Sequence, residues 1–421
     1  MGVAGPADPD VTVFRADRAT TWGSFRLGGG LNVVVVNPNV PREFAWRFAT
    51  GSEGISSSPV VYRNLLLVDS NDHSLYATDL ATGHVVWQYR AESELMSQPL
   101  YANGMAIVAT GTGDCSVYYP PYYVEMDASI DRLEAVDLGT GQEMWSTGLG
   151  GTGMPTPAIV DGTLIHVDGD GVALAIDPQT GFYRWHALTH SIFSMTAVVD
   201  GHDGRIYAAG SFPDAIYAWS ARNGSPAWTH TFSPLYGGVS DGPLASTPDR
   251  IVGMYLEPLE PGPEGWVVQE GSFSRMHVYA LDKQTGRLLW NRTVDADRGL
   301  APARNESAIP LIYRNAIFIG TAVAPYVTAL DVRTGRILWR VRTQGAVKGG
   351  LVARDGIVYF GDLGGYLWAV NAASGSIIGR KREDVHFNVG SPIIVNDTLV
   401  DGSNEGTVIA VPLRWIRDAH D

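Results

Sequence analysis

The chain has 421 residues, a formal charge of −14 at pH 7, 45% hydrophobic residues and one cysteine. The negative charge argues against a nucleic-acid partner, because binding to phosphates depends on clustered Lys and Arg. The single cysteine, Cys115, excludes an intramolecular disulfide and a Cys-rich zinc site. No apolar run is long enough for a transmembrane segment.

The charged residues are few and unevenly distributed among residue types. They make up 18% of the chain, and three of the 30 basic residues are lysines. One interpretation is a GC-rich genome. The other is adaptation to acid: below about pH 4 carboxylates lose their charge while basic groups keep theirs, so few basic groups means less self-repulsion. Composition leaves both interpretations open.

Residues 1–40 contain Pro, Gly and Asp with little hydrophobic periodicity. We expect them to form an extension that packs on the rest of the protein rather than a separate domain. From residue 41 onward the chain is built from copies of one pattern, and after residue 413 a short C-terminal tail, 414–421, remains.

The repeated pattern is strand, tight turn, strand, with the frame Ala-x-Asp-x-x-Thr-Gly-x-x-x-Trp. In each turn the Asp can accept hydrogen bonds from nearby backbone N–H groups, and the Gly can take a positive φ. Full copies lie at Ala77–Trp87, Ala135–Trp145, Ala175–Trp185, Ala280–Trp290 and Ala329–Trp339, with degenerate copies at Ala218–Trp228 and Ala369–Gly379. A partial copy, Val408–Val411, stops before its turn.

Each copy is preceded by two more short strands, as in Ser58–Asp69 and Ser391–Asp401. Four strands per unit, labelled A to D in chain order, with a period of roughly 40 residues, predict an all-β fold, a β-propeller. We expect one domain of eight antiparallel blades within residues 41–413. Phe44–Phe48 is a Trp-bearing strand with no hairpin before it, so we expect it to complete blade eight and close the ring without an open sheet edge.

The repeated frame, with Ser-Pro opening a blade, resembles the PQQ-like repeat of the quinoprotein dehydrogenase superfamily. The resemblance covers about Pro41 to Val411, and it implies that each Trp docks on the neighbouring hairpin. The same repeat occurs in PQQ dehydrogenases, outer-membrane assembly scaffolds and tetrathionate hydrolases, so the fold leaves the function open. The resemblance also implies a periplasmic or extracellular protein, and we expect an export signal to have preceded this sequence.

Strand order sorts the loops onto two faces. The A–B and C–D turns share one face; the B–C turns and the D–A links between blades share the other, here called the D–A face. Two insertions fall in B–C turns, at residues 111–131 and 256–274. Loops of this length are functional or interfacial, so we expect either a working site or a contact between copies of the chain. The residues singled out there are Cys115, Tyr119, Tyr122 and Trp266.

The D–A links lead into the innermost strand A of each blade, and their side chains are expected to point toward the ring axis. They include Glu53, Ser56, Glu94, Ser97, Gln98, Met154, His190, Phe193, Ser194, Tyr236, Ser240, Asp241, Arg304, Asn305, Glu306, Lys348, His386, Phe387 and Asn388. Cations and carboxylates on one face predict a site for a small anionic molecule. Cys115 could act there as a nucleophile or be a structural thiol.

The resemblance to tetrathionate hydrolases implies a more specific site. A polythionate dianion needs cations to hold its sulfonates and a carboxylate to activate water. Asp241 is the leading candidate for the carboxylate and Glu306 the second, although Asp241 could instead cap the turn at Gly242. The candidate substrate-binding residues are Arg304, Lys348, His386, Asn388, Ser97 and Tyr236.

Two alternatives remain. A PQQ- and calcium-dependent dehydrogenase is implied by the superfamily, whose quinone site usually has a vicinal disulfide, a Trp floor and calcium held by Glu, Asn and Asp. Cys115 stands alone and no His pair has the spacing of a metal site, so neither cofactor nor metal is expected. A non-catalytic envelope scaffold is the other alternative, and the two insertions count against it.

Overall fold

The structure, a computed structural model, describes residues 13–51, 54–111, 131–189, 191, 193, 196–211, 213–232, 242–258, 273–298, 308–321, 324–387 and 389–420. Within these ranges the regular structure is almost entirely β, as predicted. The described helices are a 3-10 turn, Phe25–Leu27, and one α-helix, Leu413–Arg417. None of the helices in these ranges is long and apolar enough to cross a lipid bilayer.

The described strands form eight sheets, and each sheet contains an antiparallel run of four strands. Strands A to D are Val60–Tyr62, Leu65–Ser70, Ser74–Asp79 and Val85–Arg90 in repeat one; Leu100–Ala102, Met105–Ala109, Arg132–Asp137 and Glu143–Gly148 in repeat two; Ala158–Val160, Thr163–Val167, Val172–Ile176 and Tyr183–Leu188 in repeat three; and Val199–Asp200, Arg205–Gly210, Ala215–Ser220 and Pro226–Thr231 in repeat four.

The second half of the chain continues the pattern. Strands A to D are Ala245–Ser246, Arg250–Pro258, Phe273–Asp282 and Leu288–Arg298 in repeat five; Leu311–Tyr313, Ala316–Gly320, Tyr326–Asp331 and Ile337–Arg342 in repeat six; and Val352–Arg354, Ile357–Gly361, Tyr366–Asn371 and Ile377–Arg382 in repeat seven. Repeat eight has Ile393–Val395, Thr398–Gly402 and Thr407–Pro412, and its strand Thr407–Pro412 pairs antiparallel with Trp46–Ala49.

Both insertions join strand B to strand C, in repeats two and five, as expected. Residues 112–130 and 259–272 within them lie outside the described residues. In repeat five the expected bounds of 256–274 were too wide, because strand B runs on to Pro258 and strand C begins at Phe273. Paired backbone hydrogen bonds therefore extend into what composition alone marked as loop.

The repeated turn forms as its chemistry predicts. In repeat five, Asp282 Oδ1 accepts hydrogen bonds from the backbone N–H of Thr285 at 2.9 Å and from its hydroxyl at 2.7 Å. Gly286 follows with φ +71°, a left-handed conformation that costs little without a Cβ. This turn reverses the chain so that Trp290 lies on the outermost strand.

Each indole packs on the turn of the following repeat. A Cβ on Gly286 would lie 2.5 Å from Trp228, which is the indole of the preceding repeat. Six described indoles also donate Nε1–H to a carbonyl of the next repeat at 2.9–3.2 Å: Trp46 to Leu80, Trp87 to Leu138, Trp145 to Pro178, Trp228 to Lys283, Trp290 to Val332 and Trp339 to Ala372. The apolar core lies between successive sheets, where residues such as Val68 and Ile107 are fully buried.

Repeat seven departs from the pattern because it has Gly379 where other repeats have Trp. A Cβ there would lie 2.3 Å from the carbonyl oxygens of Ile416 and Arg417 in the C-terminal helix. The backbone N–H of Arg380 also donates to Ala419 O at 2.9 Å. Repeat eight ends before its own turn, so the helix takes the position that a Thr-Gly turn takes elsewhere.

The N-terminal segment, residues 13–40, crosses the innermost strands of most repeats. Thr21–Trp22 pairs antiparallel with strand A of repeat two, and Val34–Val36 pairs parallel with strand A of repeat eight. Between them, Gly23, Gly29 and Gly30 accept backbone hydrogen bonds from repeats three, five and six. The segment adds strands to two sheets and has no sheet of its own.

We predict that Gly286→Ala destabilises the protein more than Gly162→Ala. Both glycines have nearly the same positive φ, +71° and +72°, so the backbone cost of a Cβ is shared and is about 1–2 kcal/mol. A Cβ at Gly162 meets nothing within 4 Å, whereas one at Gly286 meets the Trp228 indole at 2.5 Å. Urea unfolding should show a further loss of about 1–3 kcal/mol for Gly286→Ala. Equal losses would contradict the docking contact.

Candidate functional site

The entrances to the innermost strands converge on a small cavity, here called the central cavity. Its volume is about 20 Å³, room for about one water molecule. Its lining comes from the N-terminal segment and from the starts of strand A in six repeats: Phe25, Ser56, Ser57, Met96, Gln98, Met154, Thr156, Pro243, Ile309 and Val389. Three residues expected to point toward the ring axis line this cavity: Ser56, Gln98 and Met154. None of the lining residues is acidic.

Phe25 forms one wall of this cavity because the N-terminal segment passes through the centre of the sheets. The next residue, Arg26, is completely buried and has a left-handed backbone, φ +45°. Its guanidinium donates to the carbonyls of Leu31, Pro392 and Leu351 at 2.6–2.9 Å. Its Nη1 also donates to Ser58 Oγ at 3.2 Å. One side chain therefore ties the N-terminal segment to strands A of repeats one, seven and eight.

The charge of Arg26 is balanced by carbonyls rather than by a direct ion pair. Burial lowers the pKa of Arg26 to about 9, and the nearby Asp401 opposes that shift. Burial raises the pKa of Asp401 to about 8 despite a hydrogen bond from Gly402 N–H and the attraction of Arg26. Burial therefore disfavours the charged form of both side chains, and the attraction between them opposes that effect in each.

His386 lies on the D–A link into repeat eight, three residues before Val389 of the cavity wall. Its backbone N–H donates to Glu405 Oε2 at 3.0 Å, and its Nδ1 lies 2.5 Å from Glu405 Oε1. The side chain is 59% exposed. Burial tends to raise the pKa of Glu405, but these hydrogen bonds from His386 outweigh it and hold that pKa below its ordinary value.

Two other predicted substrate-binding residues are described, and both are buried. Lys348 is 1% exposed, on the link into repeat seven. Ser97 is also 1% exposed, and its hydroxyl exchanges hydrogen bonds of 3.2 Å with both backbone groups of Ala109. Donation from the Ser97 hydroxyl to an anion would require its bond to Ala109 O to break. Two link residues were expected to point toward the ring axis, Phe193 and Phe387. Phe193 packs against Gly210 and Phe387 packs against Gly361, each on a neighbouring strand.

The remaining candidates lie outside the described residues. They are Asp241, Glu306, Arg304, Asn388, Tyr236, Cys115, Tyr119, Tyr122 and Trp266. The described residues form no group of three or more His, Cys, Asp or Glu that could hold a metal ion.

Sequence reasoning missed Glu405, Phe25 and Arg26. Glu405 stands in the short B–C turn of repeat eight, and B–C turns share a face with the D–A links, so its place beside His386 was accessible from strand order. Phe25 and Arg26 belong to a segment without periodicity, which offered no comparable signal.

Three further carboxyl groups are buried where strand B ends or strand C begins, toward the B–C turns that share a face with the D–A links. Burial raises the pKa of Glu134 to about 7, although a hydrogen bond from Tyr89 opposes the shift. Burial likewise raises the pKa of Asp168 to about 6. It also raises the pKa of Asp69 well above its ordinary value, and neither oxygen of that carboxyl has a partner among the described residues.

These features define the class of the protein: an all-β propeller built from PQQ-like repeats. A family profile described as "Outer membrane protein assembly factor BamB" matches residues 32–250, 129–378 and 274–414 in overlapping segments. Since the matches cover more than half of the chain, the protein belongs to this PQQ-like repeat family.

Individual relatives carry different names. The chain is 25% identical to a tetrathionate hydrolase of Acidithiobacillus ferrooxidans over 378 residues, which is 86% of this chain and 74% of that protein. It is 25% identical to a tetrathionate hydrolase of Acidianus ambivalens over 84% of this chain and 69% of that one. It is also 24% identical to the outer membrane protein assembly factor BamB of Bordetella pertussis, over 64% and 84%.

Solved structures agree on the fold. A quinohemoprotein alcohol dehydrogenase from Comamonas testosteroni superposes with a TM-score of 0.66 at 14% identity and covers 94% of this chain and 81% of that one. BamB from Moraxella catarrhalis superposes with a TM-score of 0.59 at 16% identity over 87% and 95%. At such identities the likeness supports the architecture and not the activity.

We predict that unfolding free energy depends on the charge state of Glu134. An acid whose pKa is raised by folding binds its proton more tightly in the folded state, so it stabilises the fold at low pH and loses that stabilisation as pH rises. For Glu134 the window runs from its ordinary value to about 7. In urea unfolding, the unfolding free energy of the wild type minus that of Glu134→Gln should therefore fall by about 2–3 kcal/mol between pH 5 and pH 8.

Subtracting the free energy of Glu134→Gln from that of the wild type removes the effects of other titrating groups that both proteins contain. Burial lowers the pKa of His166 to about 3, so this residue makes the fold less stable as pH falls below the ordinary histidine value. His166 is present in both proteins and cancels in the difference. A difference that is constant from pH 5 to pH 8 would show that Glu134 does not titrate as described.

Proposed function

We propose that this chain is an extracytoplasmic enzyme that hydrolyses a small anionic sulfur compound, with tetrathionate as the leading candidate. The reaction would take place at the D–A face, above the central cavity. The observation that carries the proposal is similarity to two tetrathionate hydrolases over more than four-fifths of the chain. None of the described residues that line the central cavity is acidic, which supports an anionic ligand.

The proposal includes a closed ring of eight blades. Eight sheets are described, and the pairing of Trp46–Ala49 with Thr407–Pro412 joins the two ends of the repeat array. The Trp46 indole then reaches Leu80 of repeat one, as the other indoles reach their next neighbours. Closure of this kind leaves no free edge between first and last sheets. Closure also places all the D–A links around one opening of the central channel.

The proposed roles follow from the residue types. Asp241, or else Glu306, would take a proton from the attacking water. Arg304, Lys348 and His386 would hold the sulfonate oxygens, with Asn388, Tyr236 and Ser97 as further polar contacts. These roles are proposals for the D–A face as a whole, because the central cavity itself is too small for a four-sulfur dianion.

Operation in acid is part of the proposal. The buried carboxyls Glu134, Asp168 and Asp401 have pKa values raised by burial, so they weaken the fold less when the surroundings are acidic. The low content of charged residues, 18%, adds little self-repulsion when carboxylates are protonated. Both features support adaptation to acid over a purely genomic origin of the composition.

A PQQ- and calcium-dependent dehydrogenase is the alternative that the shared architecture suggests. The described residues do not fit a tricyclic quinone: the central cavity has about 20 Å³, whereas sites for small molecules occupy about 300–1,000 Å³. The described residues that line the cavity include Phe25 and no tryptophan, and Cys115 has no second cysteine to pair with.

The second alternative is a scaffold of the outer-membrane assembly type, which the family description and the Bordetella pertussis relative support. Under either function, contacts through residues 111–131 and 256–274 could join copies of the chain into a homo-oligomer. An assay for turnover of a small anion by the purified protein distinguishes the enzyme hypothesis from the scaffold hypothesis.

We predict that the purified protein releases thiosulfate and sulfate from tetrathionate, with more activity near pH 3 than near pH 7. Asp241→Asn should reduce kcat by about 10²-fold or more, because the amide cannot accept the proton from water. The matched control is Asp161→Asn, in the A–B turn of repeat three on the opposite face, which should keep the wild-type rate.

The same assay separates the alternatives. No turnover of tetrathionate at any pH, with an absorbance change on addition of PQQ and calcium, would replace the hydrolase by the dehydrogenase. Equal loss in Asp241→Asn and Asp161→Asn would mean that the assigned face is wrong.

A further inference from the structure

The Glu405 carboxylate holds His386 in a single orientation. One carboxylate oxygen accepts the backbone N–H of His386 at 3.0 Å, and the other lies 2.5 Å from Nδ1 of the same residue. With Nδ1 occupied, the proton of a neutral ring is held on that nitrogen. The other nitrogen, Nε2, contacts no partner among the described residues and belongs to a side chain that is 59% exposed.

This pairing changes what His386 can contribute to an anion site. A protonated imidazole beside an ionised carboxylate forms a pair with no net charge, so it attracts a dianion less than a free cation would. A histidine whose Nδ1 is fixed by a carboxylate is instead well suited to give and take protons at Nε2. Among the described residues, Asp384 and Glu383 lie next to it in the chain, and the Glu383 carboxylate is held by Arg47 and Lys381.

The same bonding pattern occurs once more among the described residues, and its position is informative. Asp200 accepts the backbone N–H of His202 at 2.7 Å and lies 3.0 Å from its Nδ1. That pair stands in the A–B turn of repeat four, on the face opposite the links, where it caps a turn. Bonding alone therefore does not make a site. What distinguishes His386 is that its link continues into Val389, a wall of the central cavity.

We propose that His386 is a general acid of the D–A face and that Glu405 is the residue that positions it. The inference rests on the proposed hydrolysis and assigns the proton transfer to the leaving sulfur. The Nε2–H of protonated His386 would supply the proton that the departing sulfur needs.

The step balances as a hydrolysis without an external oxidant. Water oxygen forms a bond to a terminal sulfonate sulfur of tetrathionate while the bond from that sulfur to the neighbouring sulfane sulfur breaks. The electron pair of the broken bond stays on the departing sulfur. Tetrathionate and water give hydrogensulfate and HS–S–SO3⁻: S4O6²⁻ + H2O → HSO4⁻ + HS2SO3⁻. Loss of one sulfane sulfur as elemental sulfur then leaves hydrogenthiosulfate: HS2SO3⁻ → S + HS2O3⁻. The attacking water loses one proton to solvent and His386 gives one to the departing sulfur, and exchange with solvent restores the histidine.

The test compares His386→Gln, Glu405→Gln and the control His202→Gln by the rate of sulfate release from tetrathionate between about pH 3 and pH 8. We expect kcat to fall about 10²–10³-fold in His386→Gln. In Glu405→Gln kcat should fall by about tenfold with KM nearly unchanged, because His386 stays on its link while its Nε2 is no longer held in one orientation. His202→Gln should match wild type within about twofold. Because His386 is exposed, all three variants should fold, which far-UV circular dichroism checks.

The outcomes separate the two proposals. An active wild type with His386→Gln unchanged in rate and pH profile would overturn the role of His386 and leave the hydrolase intact. A wild type without activity would overturn both. A higher KM in Glu405→Gln with an unchanged kcat would mean that Glu405 only supports the structure of the link, and it would contradict the positioning role.

Discussion

The structure depends on one recurrent contact, the packing of an indole on a left-handed glycine of the next repeat. Trp228 against Gly286 and Trp290 against Gly335 show the arrangement, with Nε1–H bonded to a carbonyl of the same neighbour. A single hairpin cannot bury an indole, so every repeat requires the next one. Because this contact joins sheets in chain order, it brings the starts of the innermost strands together around a small cavity.

Where the contact is missing, another element takes its place. Gly379 stands at an indole position, and the carbonyls of the C-terminal helix lie where a ring would otherwise be. At the centre, Arg26 has a comparable role: carbonyls from repeats seven and eight and the Ser58 hydroxyl surround its guanidinium. Removing either element would take away a hydrogen-bond partner that these backbone groups have in the folded protein.

The features that could be predicted are those with local chemistry. The Asp-x-x-Thr-Gly turn needs one carboxylate and one glycine, so its recurrence reveals the strands around it, and strand order then predicts that Ser56, Gln98 and Met154 meet. The path of residues 13–40 could not be predicted, because backbone hydrogen bonds to several distant repeats leave no mark on side-chain periodicity. The extension of the repeat-five strands to Pro258 and from Phe273 was missed for a similar reason: strand pairing there overrides loop-like composition.

The most direct measurement of the central claim is a crystal structure of the protein soaked with thiosulfate, a product that keeps the sulfonate group. The account predicts an anion on the D–A face, above Phe25 and within hydrogen-bond reach of His386 Nε2, in a ring whose eight sheets close through Trp46–Ala49. An anion on the A–B face, or an empty D–A face at a thiosulfate concentration that saturates the protein in solution, would contradict it.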